Sequence, residues 1–527
     1  MTRAATLTPA PPPARTRARG PYAEGAMAVL AAGVAFSGSG AATLNGDELA
    51  TVSAATRSVA GLWELAQHID GHFLPYYLFM HVWALAGTAE LWLRLPSALA
   101  ISAAAGLLVA LGRRLHSTRA GVTAAALLAA LPSVSYYGAF ARPYAFTAAA
   151  AVLSFWALHR ALERPDTRRW VAYGATVALV CCTHLFAVLV LPAHLLLVRR
   201  ETLARMLAAL AAGCVPALVL GLIGYGERHA ISWIPQRGPD VLLLFSKMAA
   251  GAAEAGVLLF TAALIGVALL ATSRKNRAAA PPDPRRATGP AHATDAARAG
   301  QAASPSVLSP ARWAGALLGW LVLPPLLLLA VSHLVMPVYV DRYLFVTAPA
   351  LALLAALAAA QAGRGRVPVA VCCALVAASV AAGAYRHAEL REENGRYESF
   401  PWAVARIQAR PGDAIVYGQS QIRAGFDYYG PAYYGLDGYG TVPWPDDVLR
   451  LGREPAPTGF GYRERVAVAG ALRGRERVWV VWRGAKSAGD RLDRVKEVED
   501  AGYELESSWH SPDLPGLTVA LYTRKDG

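Results

Sequence analysis

The sequence places carboxylates, histidines and arginines where apolar runs end. Asp47 and Glu48 stand in "NGDELATVSAATRS", just past the first apolar run, and Arg57 closes that stretch. Asp70 and His72 stand in "HIDGHFLPYY", Arg142 in "FARPYAF", His184 in "CCTHLF", and Asp341 and Arg342 in "VYVDRYLF". A carboxylate beside a hydrophobic segment is solvated, paired or employed. Carboxylates can take a proton, and arginines present a planar fork to phosphate. Gathered on one surface, these groups suit a site that handles a charged headgroup. Each has a plainer reading. Asp47 and Glu48 could solvate a helix end, Arg57 a helix face, and Asp70 and His72 could cap a helix. Arg142 could snorkel at a bilayer boundary, Arg342 could pair with Asp341, and His184 reads more readily as a satisfied interfacial histidine.

The elements that would hold these residues are membrane spans. The chain has 527 residues, 55% hydrophobic and 16% charged, with mean hydropathy +0.34. That balance excludes an ordinary soluble protein of this length. The net charge of +14 is spread over short loops between apolar runs, with no basic stripe interleaved with aromatics, so nucleic acid is not an expected partner. The partner is the lipid bilayer. The cysteines, Cys181, Cys182, Cys214, Cys372 and Cys373, all lie inside apolar runs and read as small core residues.

Charge bias predicts the topology. Residues 1–21 form a basic, disordered cytoplasmic tail, and Ala26 to Leu44 is an uncleaved first span. Leu74 to Gly87 is apolar but only about 14 residues long, short for a span. Laid on the outer surface, with Tyr76, Tyr77 and Trp83 as interface anchors, it leaves every basic loop inside. The fold expected is a polytopic α-helical membrane protein of about eleven transmembrane helices over residues 22–384. It is interrupted by a Pro/Ala/Arg-rich cytoplasmic linker over 273–313 and followed by a small extracytoplasmic α/β domain over 385–527. In that domain "DAIVYG", "RVWVVWRG" and "LTVALYT" read as strands and "ESFPWAVARIQA" as a helix.

"GDE" past the first span, "HIDGHFLPYYLFMHVW", "LRLPSALA", "ARPYAF" and "VDRYLF" together resemble the polyprenyl-phosphate-dependent glycosyltransferases of the GT-C fold. The nearest group is that of the protein mannosyltransferases and aminoarabinose lipid A transferases, including bacterial mannosyltransferase-like proteins. The likeness covers Ala26 to Ala384 and rests on motif order. It departs in two places: the His-Pro-Pro or Lys-Pro-Pro element is here His72-Phe73-Leu74-Pro75, and the C-terminal domain carries no assignable motif. The resemblance implies a cell-membrane enzyme, N-terminus cytoplasmic, that moves a sugar such as mannose from a polyprenyl phosphate to a glycan, lipid or protein hydroxyl on the outer face. Phosphate is a good leaving group, so one carboxylate and several cations suffice, and single displacement inverts the anomeric centre. It makes Asp47 the base, with Glu48 beside it, and gives Arg57, Asp70, His72, Arg142 and Arg342 to the donor phosphate and substrate. Glu227, Arg228, His229 and Trp233 fall on what resembles a substrate-covering loop.

Two matters stay open at this stage. A lipid-linked saccharide transporter or flippase would also show many spans, although it should carry repeated halves or mid-bilayer charges, which are not evident. A divalent metal cofactor is not fixed either: Asp47, Glu48, Asp70 and His72 offer ligands, but no spacing defines a site.

Overall fold

The structure, a computed structural model, describes residues 20–278, 309–392, 398–435, 443–452 and 455–525. Nearly all of the expected tail (1–21) and most of the expected linker (273–313) lie outside the described residues. What is described at their edges is helical: one helix opens at Gly20, another runs on to Ala278, and Pro310 opens the next.

Among the described residues, six helices are long and apolar enough to cross a membrane, Glu90–Leu115, Tyr144–Glu163, Arg200–Gly226, Pro310–Leu334, Asp341–Gln361 and Val367–Glu389. Two bent pairs raise the number to eight if each counts as one span: Thr118–Ala129 with Pro132–Gly138, at 68°, and Pro239–Ala250 with Ala253–Leu269, at 97°. Both bends have local causes. Pro132 has no N–H to continue a helix and holds Leu131 extended (φ −77°, ψ 130°). Gly251 takes φ +84°, and a Cβ there would lie 2.4 Å from Ser133 N, so only glycine fits. Three further expected spans fall on shorter rods, Gly20–Phe36 and Thr167–Thr183 with 17 residues each and the 3₁₀ helix Leu185–Leu197 with 13. The chain is thus a multi-pass helical membrane protein. Its helices approach closely through small residues: a Cβ on Gly112 would meet Gly121 Cα at 2.5 Å.

Leu74–Ala84 is an 11-residue helix, too short to span. Its aromatic side chains are not the expected interface anchors. Tyr76 and Tyr77 are buried, and Trp83 stacks on Trp92 at 4.3 Å between ring centroids.

The C-terminal unit is α/β. The last span helix runs past the expected boundary to Glu389, and the helix Phe400–Arg406 follows. The strands are β1 (Ala414–Tyr417), β2 (Asp446–Asp447), β3 (Arg450–Leu451), β4 (Arg463–Glu464), β5 (Arg477–Arg483), β6 (Tyr503–His510) and β7 (Leu517–Arg524). Five form one sheet in the order β2-β1-β5-β7-β6, with β1 parallel to β2 and β5 and the β5-β7-β6 ladder antiparallel. Strand alternation sorts its side chains. Val416, Val480 and Ala520 face the helix Asp493–Asp500 through Val495 and Val498. Ile415, Tyr417, Trp479, Val481 and Val519 share a core with Leu44, Leu49, Leu62, Phe73 and Tyr77. The sheet therefore shares a core with the short helices that follow the first span: β7 packs on Phe400–Arg406, that helix on Arg423–Gly435, and that one on Gly46–Ala55, which carries Asp47 and Glu48.

Candidate active site

Asn45 starts the helix Gly46–Ala55. Its side chain accepts from Glu48 N at 3.1 Å, while Glu48 Oε2 accepts from Asn45 N at 3.3 Å, a reciprocal capping box. Asp47 and Glu48 thus occupy the first turn, where a helix favours negative charge.

The two carboxylates have different surroundings. Glu48 is fully buried and grips Arg94, also fully buried, through Nε and Nη2 at 2.8 Å each. It also accepts from Ala141 N at 3.0 Å. Arg94 in turn donates to the carbonyls of Ser39, Ala42 and Thr43. This sealed pair ties the start of the Asp47 helix to the span Glu90–Leu115 and to the segment before Arg142. Glu48, expected in the catalytic pair, faces packed protein.

Asp47 faces cations. Its Oδ1 lies 3.6 Å from Arg142 Nη2 and its Oδ2 3.5 Å from Arg342 Nη1, with a third of the side chain exposed. Burial by itself would raise its pKa. The fields of Arg142 and Arg342 outweigh that and, with a smaller contribution from Arg483, hold the carboxyl below its ordinary range.

Arg142 is 5% exposed. Its Nη2 lies 3.4 Å from Asp70 Oδ2, its Nη1 donates to the Tyr77 hydroxyl at 2.6 Å, and that hydroxyl donates to Asp70 at 2.7 Å. Its guanidinium also lies 4.8 Å from the Phe73 ring centroid. Burial opposes its charge, and Tyr77, Asp47 and Asp70 more than restore it. Arg342 sits over Trp233 at 5.7 Å and Tyr343 at 6.0 Å. Asp341 Oδ1 accepts from Arg342 N at 2.9 Å, so the expected competition is resolved: the backbone takes Asp341 and the guanidinium takes Asp47. The Nε atoms of Arg142 and Arg342 are buried without a hydrogen-bond partner among the described residues.

Asp70 has φ +54°, alone in the left-handed region among the described non-glycine residues. This turn is packed from behind, because a Cβ on Gly71 would meet Ala66 O at 2.1 Å. Glu227 holds it from the front, accepting from Gly71 N at 2.8 Å and pairing with His72 Nδ1 at 3.2 Å. His184 is buried among rings, 4.5 Å from Tyr343 and 5.9 Å from His72. Its Nδ1 accepts from Phe186 N at 3.1 Å, and its Nε2 has no partner among the described residues. Arg57 does not join the group: it donates to the carbonyls of Ala456 (3.0 Å) and Gly459 (2.5 Å) in the C-terminal unit.

The polar cluster opens into a cavity of about 140 Å³, lined by Asp70, His72 and Glu227 at one side and by apolar residues such as Leu185, Ile234 and Val335 elsewhere. The structure therefore brings together Asp47, Asp70, His72, Arg142 and Arg342 and leaves Glu48 and Arg57 outside. The sequence reading missed Arg94 and the inward role of Tyr77. It had Glu227 only as a loop residue. A charge inside a span (Arg94) and a tyrosine pair in a short apolar helix were the available signals. Among the described residues, no group of three or more His, Cys, Asp or Glu side chains is arranged to hold a metal ion.

Residues 70–223 match a family model described as dolichyl-phosphate-mannose-protein mannosyltransferase. Among curated proteins none matches the chain in sequence. Two solved structures of ArnT from Cupriavidus metallidurans share its fold. The apo state has a TM-score of 0.55 at 13% identity, covering 94% of this chain and 97% of that one. The state bound to undecaprenyl phosphate has a TM-score of 0.52 at 14% identity, covering 96% and 98%. The fold is that of the GT-C glycosyltransferases, and the resemblance read from the sequence is met both by a family model and by near full-length architecture.

Proposed function

We propose that this GT-C membrane protein transfers a sugar from a polyprenyl-phosphate donor to an acceptor hydroxyl, with Asp47 as the base. The family model and the fold support a membrane glycosyltransferase with a lipid-linked donor. The observation that carries the finer reading is one carboxylate paired at once with two arginines, 3.6 and 3.5 Å away, one of which also pairs with Asp70 at the wall of an apolar cavity. Arg142 and Arg342 hold the donor phosphate, each as a fork. The cavity takes the first part of the lipid. Asp70 and Tyr77 orient Arg142, and Glu227 fixes the Asp70–His72 turn.

The step needs no second acid. Asp47 accepts the proton of the acceptor hydroxyl as its oxygen bonds to the anomeric carbon. The bond from that carbon to the phosphate oxygen breaks, its electron pair passing to the phosphate, and the anomeric centre inverts. Glu48 and Arg94 set the position of Asp47 without touching substrate. Mannose is the sugar the family description suggests, and the acceptor is a glycan, lipid or protein on the face opposite the basic loops, where the C-terminal unit also lies.

The test is the purified full-length protein in proteoliposomes with a panel of polyprenyl-phosphate sugars, following polyprenyl-phosphate release and product stereochemistry. Inverted product and released polyprenyl phosphate are expected. Movement of intact lipid-linked sugar across the bilayer, with no release, would overturn the transferase reading in favour of a flippase.

A further inference from the structure

The C-terminal unit holds the Asp47 helix at both ends. Before it, Thr43 Oγ1 donates to Glu398 O at 2.6 Å and Leu44 N to the Tyr429 hydroxyl at 2.7 Å. Near its end, Ser53 Oγ donates to Phe460 O at 3.3 Å, and Arg57 reaches the Ala456 and Gly459 carbonyls. The carboxylate of the same Glu398 is buried, and its Oε2 has no hydrogen-bond partner among the described residues. Glu398 is 3% exposed and its Oε1 takes Arg483 Nε at 2.8 Å. Arg483 closes β5, has about half of its side chain exposed, and adds its field to that on Asp47. An isolated surface ion pair contributes little, but here the carboxylate is buried and the same residue's carbonyl holds Thr43, just before the Asp47 helix.

Building on the reading of Asp47 as base, we propose that Glu398 and Arg483 are positioning residues for the transfer step, through which the C-terminal unit fixes the Asp47 helix and balances the charge around its carboxylate. The unit is then part of the catalytic machinery and not an appended module. Arg142 and Arg342 face Asp47 at 3.6 and 3.5 Å, Asp70 is reached through Arg142, and Tyr144, Tyr343, Glu398 and Arg483 are the further titratable groups whose charge acts on it. Asp513 faces Glu398, and His510 faces Asp513. Burial pushes Glu398 above the ordinary carboxylate range against the pull of Arg483. At acid pH it is therefore neutral before Asp47 is, which leaves Arg483 as the charge from this unit that acts on the acid limb.

The experiment uses Arg483→Gln, Arg483→Lys and Glu398→Gln in the full-length protein, with Asp47→Asn as reference. Turnover is followed against pH with the polyprenyl-phosphate sugar from the panel that supports most release. Arg483→Gln removes a cation near a carboxylate, so the acid limb should rise by on the order of half a pH unit. Arg483→Lys keeps the charge and should leave the limb in place, a difference that loss of packing alone would not produce. Glu398→Gln should lower turnover roughly tenfold with the donor KM unchanged, and should speed amide hydrogen exchange over residues 46–55. An unmoved limb in Arg483→Gln together with unchanged exchange in Glu398→Gln would overturn the proposal. Full turnover in Asp47→Asn would instead overturn the base assignment, and the exchange measurement would still read the positioning role without any substrate.

Discussion

Replacing Glu48 by glutamine should unfold this protein more readily and cost the folded fraction far less turnover than Asp47→Asn does. The Glu48 carboxylate accepts from Arg94 at 2.8 Å twice, from Ala141 N at 3.0 Å and from Asn45 N at 3.3 Å. Glutamine offers one oxygen for these donors and turns an amide N–H₂ on the others. Arg94, with no exposure, then keeps Glu90 at 3.7 Å as its ion-pair partner. Breaking a buried pair by neutralising one member costs about 3–5 kcal/mol, which lowers the folded-to-unfolded ratio more than a hundredfold. Asp47→Asn removes longer contacts, 3.5 and 3.6 Å, from a side chain one-third exposed. Its stability cost should stay within about 1 kcal/mol, while loss of a general base costs about 10²- to 10⁴-fold in rate. Buried Cys181 and Cys372 provide the assay, because a thiol-reactive dye reports their exposure on heating in detergent. Turnover is then normalised to folded protein. A Glu48→Gln protein that melts with the wild type yet loses turnover would refute this division and return Glu48 to the substrate.

Arg142→Lys and Arg342→Lys should each weaken donor affinity about tenfold or more at unchanged insertion, since a point charge replaces a fork; full activity of both alanine variants at limiting donor would dismiss the phosphate assignment. Because the arginines hold the Asp47 carboxyl low, the acid limb of kcat/KM for donor should lie below the ordinary aspartate range, and the limb of kcat should lie higher once phosphate occupies the same cations. A kcat limb at or below the kcat/KM limb would contradict shared cations. Gly71→Ala, whose Cβ would meet Ala66 O at 2.1 Å, should break the Asp70–His72 turn and abolish turnover, read against retained folding by the same thiol melt. A reporter fused after Gly527 should be active only outside the cytoplasm, and cytoplasmic activity would invert the proposed topology.

How much of this was legible in the sequence depended on whether the signal was local. The strands "DAIVYG", "RVWVVWRG" and "LTVALYT" and the short reach of Leu74 to Gly87 are local, and the structure carries each as an element. The order of the polar motifs pointed to one end of the bundle, and Asp47, Asp70, Arg142 and Arg342 do meet there. Side-chain direction was not legible. Glu48 and Asp47 are adjacent, and only Arg94, inside an apolar run, decides which turns inward. Arg57 read as a ligand because its partners are backbone carbonyls of Ala456 and Gly459, which have no sequence signature. Tyr77 read as an interface anchor because its burial against Arg142, Asp70 and Phe460 is a long-range fact.

Adjacent carboxylates on a helix diverge by about 100°, so one capped turn can supply both a fixed anchor and a working base. Glu48 spends its charge on Arg94 and thereby sets where the turn lies. Asp47, on the next face, shares Arg142 and Arg342, and Arg142 also serves Asp70. Two carboxylates and two arginines in mutual contact sum to no net charge, so the resting cluster is compensated without ligand. A donor phosphate cannot bind these arginines without competing with Asp47 for them. On the proposed reading, what the donor takes from Asp47 is the field that held its proton affinity down, so the base would strengthen when there is a glycosyl phosphate to attack. In the empty site Asp47 is paired to both arginines and would activate water poorly. The same pairs that hold the site together without substrate thereby tie basicity to the presence of the donor.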